Sequence, residues 1–164
     1  TLGNLTPEPR RRFLAAVAAH LGPSGDLLVG VDLVKDPAVI EAAYDDSQGV
    51  TAAFNRNVLH VINRELGADF DPEAFDHVAA FDTEHEWIEM RLRARAPQTV
   101  RIPALDLTVE FAEGEELRTE ISAKFTRRRL ESDLAAAGLR LTGWWTDRRE
   151  RFALALARRS GAGG

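Results

Sequence analysis

Apolar positions recur along this chain with two different periods, and the switch between them divides it. After "GNLT", Phe13, Val17 and Leu21 fall every four residues with Leu14 and Ala18 beside them. This predicts a helix capped by Thr6, opened by Pro7 and Glu8, and stopped at Gly22-Pro23. The unbroken run "DLLVGVDLV" at 26–34 predicts a strand buried on both faces, as in a parallel sheet. A short helix from Pro37 to about Tyr44 follows. A longer one lies in "GVTAAFNRNVLHVINRELG", with Phe54, Val58, Val61 or Ile62, and Leu66 along one stripe. "DPEAFDHVA" predicts a further short helix opened by Asp71 and Pro72. The opening "GNLTPEP" has the pattern of a strand end feeding the first helix.

The period then falls to two. In "EWIEMRLRARA", Ile88, Met90, Leu92 and Ala94 alternate with Glu89, Arg91, Arg93 and Arg95, which predicts a half-solvated strand. "TVRIPA" and "LTVEFAEG" are its expected antiparallel companions. "TRRRLESDLAAAG" predicts a helix capped by Thr126 and ended by Gly138. "LRLTGWWTD" and "RFALALARR" are two strands joined by a charged turn at 147–151, close enough to form a hairpin. The order of elements is that of an α/β fold interrupted by a β-rich insertion.

Composition narrows the partners more than the fold. A net charge of −5 argues against a nucleic-acid partner, and the RRR runs at 10–12 and 127–129 are read as solvated helix faces. Cysteine is absent, which excludes disulfides and thiol chemistry. No apolar stretch approaches the roughly 20 residues a bilayer span needs, and no basic-then-apolar leader opens the chain. The expectation is a soluble cytoplasmic protein with no membrane partner. The histidines at 20, 60, 77 and 85 show no metal-ligand spacing, so no metal is expected and each is read as a surface or helix residue.

Four separated motifs, "GNLTPEP", "YDDSQGVTAAFNRNVLHVINRELGADF", "EMRLRA" and "EELRTEISAKF", occur in order. Together they resemble the histidine-specific, S-adenosylmethionine-dependent methyltransferase family, from Leu2 to about Arg159. The resemblance implies the C-terminal half of a class I, Rossmann-like methyltransferase sheet with an antiparallel last strand, carrying a β-rich substrate-binding insertion. Residues 1–48 and 124–164 are then the core, and 49–123 the insertion. It also implies S-adenosyl-L-methionine as co-substrate and L-histidine, with its methylated forms, as substrate, on the route to trimethylhistidine in ergothioneine biosynthesis. The family's glycine-rich cofactor loop and ribose-binding acid lie upstream of "GNL". The chain is therefore expected to lack most of the cofactor site, to need the missing N-terminal half as partner, and to be inactive alone. A split enzyme, or a non-catalytic binding module of the same fold, is the alternative.

The candidate site residues follow from motif and chemistry together. Asn4 offers an amide donor and acceptor at the expected carboxyl end of a strand, where ligands sit in open α/β sheets, or else forms an Asx turn. The resemblance implies that it holds the amino-acid head group and positions the amine. Tyr44, the only tyrosine, is by resemblance a carboxylate ligand. Glu120 and Ser122 stand two apart, so an extended segment projects both from one face, where they could grip the two nitrogens of an imidazole or form an ordinary strand edge. The resemblance implies the imidazole grip. Thr51 and Met90 match pocket-lining positions, though each could equally be packing, and Met90 sits on the apolar face of its strand.

Overall fold

The computed structural model describes residues 1–22 and 24–160, so Pro23, half of the expected helix stop, lies outside the described residues. The chain divides into two compact units. The first comprises Thr1–Asp36, Thr83–Trp87 and Ser122–Gly164, and the second Pro37–Asp82 and Ile88–Ile121.

In the first unit, β1 (Asp26–Asp32), β8 (Phe152–Arg159) and β7 (Leu139–Thr146) form a sheet in the order β1-β8-β7, with β8 antiparallel to both neighbours. The expected hairpin is there, and Asp147 builds its turn by accepting from the backbone N–H groups of Arg149, Arg151 and Phe152. α4 (Arg127–Ala136) packs on β7 and α1 (Pro7–His20) on α4. The Thr126 hydroxyl caps α4 by accepting from the Arg129 N–H at 3.2 Å, and Gly138 ends it with a φ of +73°, a left-handed backbone that suits glycine.

Four expectations for this unit are corrected. Leu2–Asn4 form a 3-10 turn and not a strand end, because the Thr1 and Leu2 carbonyls accept locally from the Asn4 and Leu5 N–H groups. Thr6 precedes α1, but its hydroxyl makes no capping bond. The inner stripe of α1 is Arg10, Leu14 and Ala18, one position on from the apolar reading, and Phe13 is exposed. The reason is Arg10, which is 1% exposed and donates from Nε to Asp133 of α4 at 2.7 Å. Its run of three arginines is thus only partly a solvated face. Finally, β1 is buried on one face alone. Val31 is buried, as are Ala153, Ala155 and Ala157 of β8, while Leu28, Phe152, Leu154 and Trp145 are exposed.

In the second unit, α2 (Pro37–Tyr44) and α3 (Val50–Leu66) lie against β2 (Phe75–Asp82), which is followed in its sheet by β3 (Trp87–Ala94) and β6 (Glu116–Ala123) in the order β2-β3-β6. The segment after Asp71 is a correction: only Pro72–Ala74 turn, as a 3-10 helix, and β2 begins at Phe75. β4 (Gln98–Ile102) and β5 (Leu107–Phe111) pair antiparallel with each other in a sheet of their own and are not companions of β3. Phe70, Phe75 and Phe111 pack with centroids 5.4–6.2 Å apart, one pair edge-to-face at 88°, and anchor a core with Leu59, Leu92 and Val100. Such pairs contribute about 0.5–1.5 kcal/mol each beyond their buried area.

The polar face of β3 is less solvated than its alternation suggests. Glu89 is 5% exposed and accepts from Arg91 and Arg118, while Glu116 of β6 accepts from Arg91 and Arg93. These bonds from Arg91 and Arg93 hold the Glu116 carboxyl below its ordinary range.

Candidate active site

Glu120, Met90 and the outer face of α3 come together in the second unit. They enclose a cavity of about 210 Å³ with Phe54, Val58, Asn55 and Thr119. Glu120 projects from β6 and is half-buried. Met90 of β3 is 4% exposed, so its packing reading and its pocket reading both hold. Phe54 and Val58 belong here and not in the core. Ile62 and Leu66 of the expected stripe of α3 do pack on the core, but in its first two turns the buried positions are Asn55 and Leu59, one residue on from Phe54 and Val58. Phe54 is 64% exposed along the cavity it lines. The result is a carboxylate facing an apolar wall of Phe54, Val58 and Met90 and a polar one of Asn55, Asn57 and Thr119.

This shift in the first two turns of α3 has a polar cause. Asn55 is 3% exposed, and its amide donates to Nδ1 of His77 at 2.9 Å and to the Arg91 carbonyl at 3.0 Å. Its oxygen accepts from the Thr119 hydroxyl at 2.5 Å. Turning Asn55 outward would leave these groups unpaired, which costs more than exposing Phe54. His77 is therefore a half-buried strand residue and not the surface or helix residue expected. The sequence carried one signal for Asn55, a polar residue four before Leu59 on what is otherwise a core stripe. His77 and Thr119 carried none.

Tyr44 closes α2, and its backbone carbonyl is bonded by Nε2 of His77 at 2.8 Å. Thr51 lies in the first turn of α3, with its N–H held by Asp46 at 2.7 Å; neither Thr51 nor Tyr44 lines the 210 Å³ cavity. Asp46 also accepts from the Val50 N–H at 3.1 Å. These bonds, that from Thr51 first, lower its pKa to about 2 from 3.8. A depressed carboxylate pKa stabilises the fold at any pH above the ordinary value and loses that effect as pH falls through the folded one. Asp46→Ala should therefore melt below wild type at neutral pH. The difference should shrink between about pH 4 and pH 2, as thermal melts across that range would show.

Asn4 and Ser122 line a different cavity, of about 190 Å³, within the first unit, with Gly30, Asp32, Phe125 and Phe152. Gly3 allows the close approach of the turn, since a Cβ there would stand 3.1 Å from the Ala123 carbonyl oxygen. Ser122 Oγ accepts from the buried Lys124 Nζ at 3.1 Å, a bond that does not use the hydroxyl's own proton. Lys124 also pairs with Asp32 at 2.9 Å. Burial pushes the Asp32 carboxyl up, but the hydrogen bonds from Lys35 and Lys124 prevail and hold it below its usual value.

The connection from β1 to α2, at 33–36, contains no glycine, and a cavity of about 190 Å³ falls short of what drug-sized ligands occupy, roughly 300–1,000 Å³. The larger cavity of about 490 Å³ between α1 and α4 is lined by Arg10, Arg129 and Asp133, which are engaged with each other's elements and with Glu86. Among the described residues, no helix is long and apolar enough to cross a membrane.

Residues 1–159 match the family model for histidine-specific, SAM-dependent methyltransferases. The chain is 58% identical over 157 residues to the histidine N-alpha-methyltransferase of Mycolicibacterium smegmatis, covering 96% of this chain and 49% of that protein. It is 57% identical over 157 residues to the protein of the same name from Mycobacterium tuberculosis, with the same coverage. To ergothioneine biosynthesis protein 1 of Neurospora crassa it is 27% identical over 146 residues, covering 89% of this chain and 16% of that protein. The chain thus spans about half the length of the two bacterial relatives.

Proposed function

The chain belongs to the histidine-specific, S-adenosylmethionine-dependent methyltransferase family, and on that premise we propose that it is the substrate-binding half of an L-histidine Nα-methyltransferase. Its product is the methylated, ultimately trimethylated, histidine of ergothioneine biosynthesis. The other half of the site, including most of the S-adenosylmethionine pocket, is supplied by protein beyond these residues, the bacterial relatives being about twice this chain's length.

The observation that supports this reading most is Glu120 in a cavity of about 210 Å³ walled by Phe54, Val58 and Met90. A neutral imidazole offers one N–H donor, and a carboxylate is its strongest acceptor at neutral pH. Apolar walls around that bond raise its worth, because water cannot replace it cheaply. Ser122, whose proton is not used in its bond from Lys124, suits the unprotonated ring nitrogen, and Asn4 and Tyr44 suit the amino and carboxylate groups of the substrate head. These roles for Asn4, Tyr44 and Ser122 rest on the family motifs. The amine must be neutral and held in line to accept a methyl group, so orientation is the main contribution these residues make.

The test is methyl transfer by the complete enzyme, with histidine and leucine as competing acceptors. Histidine is expected to be methylated and leucine not, and the 164-residue chain alone is expected to transfer nothing. Asn4→Ala should weaken both amino acids alike, because it acts on the head group they share. A selective loss for histidine would remove Asn4 from the head group.

A further inference from the structure

Asn55, which lines the cavity, makes three side-chain hydrogen bonds that tie α3 to β2, β3 and β6. Both amide protons are donated, to His77 Nδ1 and to the Arg91 carbonyl, and the oxygen accepts from Thr119. The partners fix the protons. The Tyr44 carbonyl can only accept, so Nε2 of His77 carries the hydrogen, and Nδ1 is the bare acceptor for Asn55. A flipped Asn55 amide would set its oxygen against the Arg91 carbonyl, two acceptors face to face. The chain Tyr44 carbonyl, His77, Asn55, Thr119 is therefore paired at every link, and the Thr119 hydroxyl also lies 3.0 Å from the Met90 carbonyl.

Both ends of this chain are next to residues of the proposed site. One holds the backbone of Tyr44 at the end of α2, and the other holds Thr119, the residue before Glu120. We propose that Asn55 and His77 are positioning residues, through which the hold on the substrate head group and the hold on its imidazole share one polar support. This rests on the reading of Glu120 and Tyr44 as substrate ligands. Neither positioning residue needs to touch the reacting atoms. Their effect should appear as weaker histidine binding with turnover little changed.

The test uses the complete enzyme and measures kcat, KM for histidine and melting temperature together. Asn55→Ala should raise KM about tenfold while kcat stays within about twofold. Asn63→Ala is the control, since it removes the bonds of Asn63 to the Phe70 carbonyl and N–H at 2.8 and 2.9 Å, in the same unit but away from the cavity. It should lower the melting temperature and leave KM alone. His77→Gln can still reach the Tyr44 carbonyl, and His77→Asn can still accept from Asn55 but loses Tyr44. His77→Gln should hold KM within about threefold and His77→Asn should not, a comparison that decides the matter even if Asn55→Ala fails to fold. Wild-type KM in Asn55→Ala, or in both His77 variants, overturns the proposal. If Glu120→Ala also leaves KM unchanged, the reading of the cavity falls with it; if Glu120→Ala raises KM, only the positioning role is lost.

Discussion

Glu120→Ala should weaken histidine binding by the complete enzyme by about 1–3 kcal/mol, roughly five- to 150-fold in apparent affinity. The substitution removes the only carboxylate from a pocket lined otherwise by Phe54, Val58 and Met90 and by the neutral Asn55, Asn57 and Thr119. A buried donor left unpaired carries its full desolvation cost, whereas water would meet most of it at an open surface. Leucine has no such donor and should lose little, so the preference for histidine narrows. Glu120→Gln separates charge from shape. Its amide oxygen still accepts, and it should recover part of the loss but not all, since a charged acceptor bonds about twice as strongly as a neutral one. Titration of histidine and leucine against each variant is the measurement. Equal losses for both would remove Glu120 from the ring.

The second large effect concerns stability. Asp133→Ala should destabilise the fold by about 3–5 kcal/mol, because it strands the Arg10 guanidinium in the interior. The Arg10 and Asp133 side chains are 1% and 7% exposed and meet at 2.7 Å. Arg10 also reaches the Leu5 carbonyl at 3.3 Å and lies 5.1 Å from the centroid of Phe125. Burial pushes the guanidinium pKa down and Asp133 opposes that, the signature of a cation held inside by its partner. Arg10→Met combined with Asp133→Leu should recover much of the loss, since replacing a buried pair with apolar side chains is often neutral or better. Denaturant melts of the two single variants and the double variant give the coupling directly. A double variant as unstable as the sum of the singles would mean that the pair is not coupled.

What could be read from the sequence divides along the same lines as these two effects. Elements bounded by local chemistry were legible: Pro37 to Tyr44, the Thr126 cap and Gly138 stop of α4, and the hairpin around Asp147 all form where the pattern places them. Faces were less legible, because apolarity decides a helix face only where no polar residue has a better claim. Arg10 turns α1 by one position to meet a residue 123 places away in sequence, and Asn55 turns α3 to meet Arg91, His77 and Thr119. No local window contains those partners. The same shift in α3 brings Phe54 and Val58 to the cavity. The strand β2 was hidden because Asp71 and Pro72 do open a turn, but one of three residues only. Glu120 and Met90 were placed by motif and share a cavity; Asn4 and Ser122 share another, and Thr51 and Tyr44 line neither.

The position of the new methyl group tests the central claim most directly. If Glu120 holds the ring of histidine, the imidazole is kept at the carboxylate and the α-amine is the nucleophile left to present. Nuclear magnetic resonance of the product formed by the complete enzyme from histidine and isotopically methyl-labelled S-adenosylmethionine should place every transferred methyl on the α-nitrogen. Label on a ring nitrogen would contradict the account, because it would mean that the imidazole faces the methyl donor and the carboxylate of Glu120 holds something else.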